Sequence, residues 1–238
     1  MQIISATSPA GAWYLGTKHL LSHGNWINDI LEILNVCVSV DISKQTVEEY
    51  RKQHDIFDPY FREVFGDDRI DYAASVTFIY PPRGGLLNKP EYTFLNNKWK
   101  DSYWGRMIAY HNQVNQIEHA IHLLKQGKNI KRCQVMVYDP LSDMKNMYKQ
   151  PCLLGIDFKP RGGKLHTTAF FRSQRISKSG YADYTALCNL AHYVATESGL
   201  DMGPLETIAC SFHLTKSGRE MKKSLELIKL LDDKQWQP

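Results

Sequence analysis

The chain has no apolar run of the roughly 18 residues that a membrane-spanning helix needs, so no membrane partner is expected. Its opening, MQIISATSPAGAW, has no basic stretch ahead of the apolar part and does not read as a secretory leader. Paired cysteines are also missing. Cys37, Cys133, Cys152, Cys188 and Cys210 are odd in number and scattered, with no C-x-x-C, which argues against a disulfide framework or a zinc cluster and for a reducing, cytoplasmic setting. There is no internal repeat and no low-complexity linker, so residues 1–238 are expected to form one domain. Charge of one sign is not concentrated either. A net +4 suits an anionic small molecule better than a nucleic acid, which calls for basic residues gathered on one face.

What is present is ordinary for a globular core, with 43% apolar and 23% charged residues. Helical spacing covers Ala12–His23, Thr46–Phe65, Val114–Gly127, Tyr184–Ser198 and Glu220–Leu231. Period-two or Val/Ile-rich runs predict strands at Ile30–Ile42, at AASVTFIY within Asp67–Pro82, and at Cys133–Tyr138, Leu153–Phe158, Lys164–Phe171 and Thr207–Leu214. The KPRGG segment supplies the glycines of a hairpin turn, and Pro90–Ser102 reads as loop. These elements add up to an α+β fold, a mixed sheet packed with helices. His19/His23 and His119/His122 stand at helical spacing but lack a third ligand nearby, so no metal site is expected.

Chemistry concentrates in Pro151–Asp183. Cys152 follows a proline and precedes an apolar strand, which suits either a nucleophile at the mouth of a sheet or a buried, inert thiol. Arg172-Ser173 closes the paired strand and offers a two-pronged cation and a hydroxyl for an anion, or a solvated strand end. Lys131-Arg132 is a second cationic pair at the start of a strand. Asp183 precedes a predicted helix, where it would serve as an N-cap or as a carboxylate that accepts from an exocyclic amino group.

In order and spacing these residues resemble the thymidylate synthase and pyrimidine hydroxymethylase family. The Pro-Cys pair, the Phe-Arg-Ser strand end 20 residues after Cys152, a carboxylate 11 further on and a closing strand histidine 30 beyond that agree with the family's intervals. KRCQVMVYDP and YWGR (Tyr103–Arg106) resemble its paired basic residues and its Tyr-Gly-basic element, so the likeness runs from about Tyr103 to Thr215. AWYLGTKHLLSHG and ILEILNVCVSV are similar, more loosely, to short archaeal-type members.

The resemblance implies a thymidylate synthase-like domain forming a homodimer by sheet-to-sheet packing. Cys152 would add to C6 of a pyrimidine nucleoside monophosphate. Arg172 and Ser173 would hold its phosphate, reached also by Lys131 and Arg132 of the other subunit, and His213 would contact the sugar. Tyr103 and Trp104 fall at the family's proton-handling tyrosine, with Trp104 in its register. Asp183 stands where uracil-specific synthases carry asparagine and cytidylate hydroxymethylases carry aspartate. That points to folate-dependent C5 hydroxymethylation of dCMP or CMP with 5,10-methylenetetrahydrofolate; the alternatives are C5 methylation of dUMP and a non-catalytic nucleotide-binding homologue. The sequence departs from the family at Gln174-Arg175, which replaces a folate-contacting aspartate, at Phe171, at Thr215 in place of a tyrosine, and in the short stretch after the last helix.

Overall fold

The computed structural model describes residues 1–43, 47–65, 103–111, 113–127, 130–145, 150–216 and 219–238. The strand expected within Asp67–Pro82 and the loop expected at Pro90–Ser102 lie outside them.

One mixed sheet organises the chain. Its strands are β1 (Gln2–Ala6), β2 (Asn25–Ile27), β3 (Ile30–Val40), β4 (Gln134–Met136), β5 (Leu153–Arg161), β6 (Lys164–Phe171), β7 (Gln174–Arg175) and β8 (Asp201–Thr215). The order across the sheet is β1-β3-β8-β6-β5-β4, with β2 on β3 and β7 on β8. β1 with β3, β6 with β8 and β7 with β8 run parallel, and the other pairs are antiparallel. The helices are α1 (Pro9–His23), α2 (Val47–Phe65), α3 (Tyr103–Ile108), α4 (Gln116–Gln126), α5 (Pro140–Asp143), α6 (Lys178–Ser198) and α7 (Glu220–Asp233). This is the expected α+β class.

Several boundaries differ from the sequence reading for identifiable reasons. β5 continues through Lys159-Pro160-Arg161, and only Gly162 and Gly163, at φ 57° and 80°, make the turn. A two-residue turn with both φ positive matches the twist of the strands it joins, and glycine adopts it without strain. α6 begins at Lys178, six residues before the apolar period becomes legible, so Asp183 lies inside the helix and the N-cap reading is excluded. β1, β2 and β7 are too short to show a period of their own.

The core lies between the sheet and its helices. Trp13 of α1 is fully buried, packs on Phe57, Phe61 and Phe65 of α2 at ring separations of 5.8, 5.8 and 6.3 Å, and donates its indole N–H to Ser177 O at 2.6 Å. Tyr181 of α6 packs at a tilt on Phe57 and Phe61 of the same cluster and donates to Asp58 Oδ1 at 3.1 Å. These contacts lock the start of α6 against α1 and α2.

The opposite face of the sheet carries a different pattern. Pairing aligns Ile3, Cys37, Ile208, Phe170, Gly155 and Met136 in one row across β1, β3, β8, β6, β5 and β4. Within it Ile3, Met136 and Phe170 are 66%, 48% and 41% exposed, apolar side chains that no described helix covers.

Truncating Trp13 leaves a large cavity and an unpaired Ser177 carbonyl. Trp13→Ala should cost about 3–5 kcal/mol of unfolding free energy, and Trp13→Phe clearly less, as read by urea denaturation. Equal losses would show that ring packing is not what Trp13 contributes.

Candidate active site

The hairpin β5–β6 brings the two ends of the chemical segment together. Leu153 pairs with Phe171, and beyond them the Arg172 N–H donates to Cys152 O at 2.9 Å. The Arg172 guanidinium turns back over the Pro-Cys segment. Its Nε donates to Pro151 O at 2.9 Å and Nη2 to Gln150 O at 2.8 Å, and Nη2 lies 3.8 Å from Cys152 Sγ. Cys152 is half-buried, whereas Cys37, Cys133 and Cys188 are buried. Burial raises the Cys133 thiol to about 11 and the Cys188 thiol further, which marks both as structural.

α3 delivers Tyr103 to this point. Its hydroxyl accepts the Cys152 N–H at 2.9 Å. The helix is anchored by Arg106, which grips Asp143 with two donors at 2.7 and 2.8 Å and donates to Val137 O at 2.9 Å. Burial pushes the Asp143 carboxyl up and Arg106 more than offsets it, leaving it below the usual range. In YWGR, then, the arginine fixes the helix and Tyr103 faces the cysteine. Trp104 is buried, and its indole nitrogen has no hydrogen-bond partner among the described residues. Burial, then the neighbouring Cys152, raise the Tyr103 hydroxyl well above its ordinary range, and Asp183 adds to this.

His213 reaches the site through a phase slip in two strands. Burial alternates on β3 at Leu31 and Ile33, then at Val36, Val38 and Val40, with Cys37 buried between them, and on β8 at Gly203, Leu205, Thr207 and Ala209, then at Phe212 and Leu214. The slip falls at Asn35, at φ 56°, opposite Cys210. It turns Glu32, Ser211 and His213 away from the core. Nδ1 of His213 lies 3.4 Å from both Ser173 Oγ and Ser211 Oγ, and Ser211 donates to Glu32. Burial holds the His213 ring below the ordinary histidine range, so it is neutral near pH 7.

Asp183 stands on α6, whose first turn is held by Trp13 at Ser177 O and by Glu220 of α7, which accepts from Ser177 Oγ at 2.8 Å. The carboxyl is buried, and Oδ1 has no hydrogen-bond partner among the described residues. Burial raises it well above the usual carboxylate range, with Gln174 and Arg175 pulling the other way. Arg175 also bears on His213, which links the two halves of the site. Lys131 and Arg132 are exposed on the segment before β4, and no hydrogen bond or ion pair among the described residues ties them to Cys152.

The structure therefore gathers Cys152, Arg172 and Tyr103 in one contact group and Ser173 and His213 in a second, while Asp183 is buried on α6. Glu32, Ser211 and Gln174 were missed from sequence, because cross-strand and parallel pairing leave no local signal. No group of three or more metal-ligating side chains exists among the described residues, and no described helix is long and apolar enough to cross a membrane. Arg175 occupies the place of the family's folate-contacting aspartate and pairs with Glu220 at 3.5 Å, and a cation does not accept from the donor-rich edge of a pterin.

Residues 44–226 match the family model described as thymidylate synthase. The chain is 27% identical over 221 residues to a provisionally named thymidylate synthase of Methanococcoides burtonii, covering 90% of this chain and 89% of that one. A provisionally named thymidylate synthase of Methanothermobacter marburgensis is 32% identical over 148 residues, 61% of this chain and 65% of that one. The thymidylate synthase of Listeria innocua is 24% identical over 221 residues, 89% of this chain and 66% of that one.

A carboxyl raised on folding keeps a proton that the unfolded chain releases, so it favours the folded state less as pH climbs from the unfolded value near 4 towards the folded one. Asp183→Asn should gain stability over the native protein by up to about 1.4 kcal/mol per pH unit across that window, measured by denaturation at stepped pH. A pH-independent difference would show that Asp183 ionises normally.

Proposed function

The chain belongs to the thymidylate synthase family, and from that premise we propose that it hydroxymethylates C5 of a cytidylate, dCMP or CMP. Family membership makes it an enzyme that transfers one-carbon units to a pyrimidine nucleotide. The observation that carries the finer reading is the buried carboxyl of Asp183, held at a position where uracil-specific members have an amide.

In this reading Cys152 Sγ bonds to C6 of the base and the electron pair of the C5–C6 double bond moves to C5, which becomes nucleophilic. The attacking form of a cysteine is its thiolate, and Arg172 sets a cation 3.8 Å from the sulfur. With Nε and Nη2 committed to Pro151 and Gln150, the Nη1 donors of Arg172 and the Ser173 hydroxyl take the phosphate. His213, neutral and steadied by Ser211 and Glu32, contacts the sugar. Tyr103 fixes the backbone at the nucleophile and offers a hydroxyl for proton transfer beside it. Methylenetetrahydrofolate, the donor the family generally uses, would supply a one-carbon unit at the oxidation level of formaldehyde. Arg175, paired with Glu220, does not fit the family's folate contact at that position.

The exposed Ile3, Phe170 and Met136, aligned in one row of the sheet, support a homodimer that packs sheet on sheet. In such a dimer Lys131 and Arg132 of one copy are free to reach the phosphate held by the other. The names of the relatives favour the second reading, C5 methylation of dUMP.

Incubation with C5-tritiated dCMP, CMP or dUMP and methylenetetrahydrofolate separates the readings. Tritium release from a cytidylate is expected, lost in Cys152→Ala; release from dUMP alone would overturn the cytidylate assignment. Asp183→Asn should move the cytidylate-to-uridylate preference towards uridylate by about 10- to 100-fold, the size of one or two mismatched buried hydrogen bonds. Phe170→Glu should convert a dimer to monomers in sedimentation; a wild-type monomer would remove the role given to Lys131 and Arg132.

A further inference from the structure

A buried acid alone does not choose between cytosine and uracil. In its neutral form it carries one O–H donor and one acceptor oxygen. Facing cytosine it donates to N3 and accepts from the 4-amino group; with the proton on its other oxygen it donates to the 4-carbonyl of uracil and accepts from N3–H. Discrimination therefore needs a neighbour that decides which oxygen holds the proton.

Gln174 stands in that place. It follows Ser173, lies on β7 opposite Phe212 and is 1% exposed. Its amide bears directly on Asp183 and favours the negative form, as a donor does. Yet neither Nε2 nor Oε1 of Gln174 has a hydrogen-bond partner among the described residues, and nor does Oδ1 of Asp183. Buried polar atoms left unpaired are disfavoured by about 1–3 kcal/mol each, and Gln174 and Asp183 carry three of them between them. A short approach of the amide to the carboxyl, with a base edge on the far side, satisfies all but the amide oxygen.

We propose that Gln174 is a specificity-determining positioning residue, whose amide N–H donates to one Asp183 oxygen, keeps that oxygen an acceptor for the 4-amino group of cytosine and leaves the proton on the other to meet N3. The 4-carbonyl of uracil then meets an acceptor and is rejected. This rests on the cytidylate reading above and extends it from one residue to a pair. Arg175, next along β7, lies outside the pair: it is exposed and engaged with Glu220.

Equilibrium titration of the full chain, without donor, against matched pairs (CMP with UMP, dCMP with dUMP) tests the assignment. The native protein should prefer the cytidylate of each pair. Gln174→Leu, which keeps the bulk and removes both polar atoms, should shrink that preference about tenfold or more while leaving the affinity for inorganic phosphate unchanged. On an Asp183→Asn background the same change should leave the preference where it is, since Gln174 acts through Asp183. If Gln174→Leu does not fold, Gln174→Asn, which withdraws the amide by one carbon, carries the same expectation. A folded variant with the native preference, or with both nucleotides weakened equally, overturns the role of Gln174 alone. A native protein that binds uridylate as tightly as cytidylate overturns the cytidylate reading itself.

Discussion

A single backbone hydrogen bond, from Arg172 N–H to Cys152 O at 2.9 Å, joins the thiol-bearing segment to its cation. It is the last rung of the β5–β6 hairpin, whose register is set at the other end by Gly162 and Gly163. The interval of 20 residues between Cys152 and Arg172 is therefore a geometric consequence of hairpin length, with one irregularity between Leu153 and Gly155. A residue added to or lost from either strand would reverse the facing of its side chains and separate thiol from guanidinium. That the spacing agrees with the family reflects this constraint.

The second half of the site depends on the packing of α6. Trp13 and Glu220 hold its first turn through Ser177, and Tyr181 ties it to Asp58 of α2. A helix fixed at that many points carries Asp183 into a dry environment with little freedom to retreat. Its burial is tolerated because a carboxyl can stay protonated, and a protonated carboxyl is a two-sided recognition group. The parallel pairing of β7 with β8 sets Gln174 opposite Phe212 and Arg175 opposite His213.

Much of this was legible in the residues. Cys152, Arg172, Ser173, Asp183 and His213 stand out because their types and intervals survive as a linear pattern, and the longer strands and helices show their periods. What escaped has a common cause. β1, β2 and β7 span five, three and two residues and get their partners from distant chain, so no local period announces them. The first six residues of α6, KSGYAD, are polar and glycine-bearing, and tertiary contacts made at Ser177 and Tyr181 override that propensity. The outward turn of His213 comes from a slip at Asn35 and Cys210 that alternation counting cannot anticipate. In YWGR the register alone pointed to Trp104 for the tyrosine's place, whereas the structure puts the Tyr103 hydroxyl on Cys152 N–H.

Attack of Cys152 on C6 of a cytidylate recognised at Asp183 can be trapped directly. Fluorine at C5 blocks loss of the C5 substituent and so traps the covalent adduct. Mass spectrometry of the protein incubated with methylenetetrahydrofolate and 5-fluoro-dCMP or 5-fluoro-CMP should find the nucleotide on the peptide that contains Cys152. An adduct formed only with 5-fluoro-dUMP, or on no cysteine at all, would contradict it.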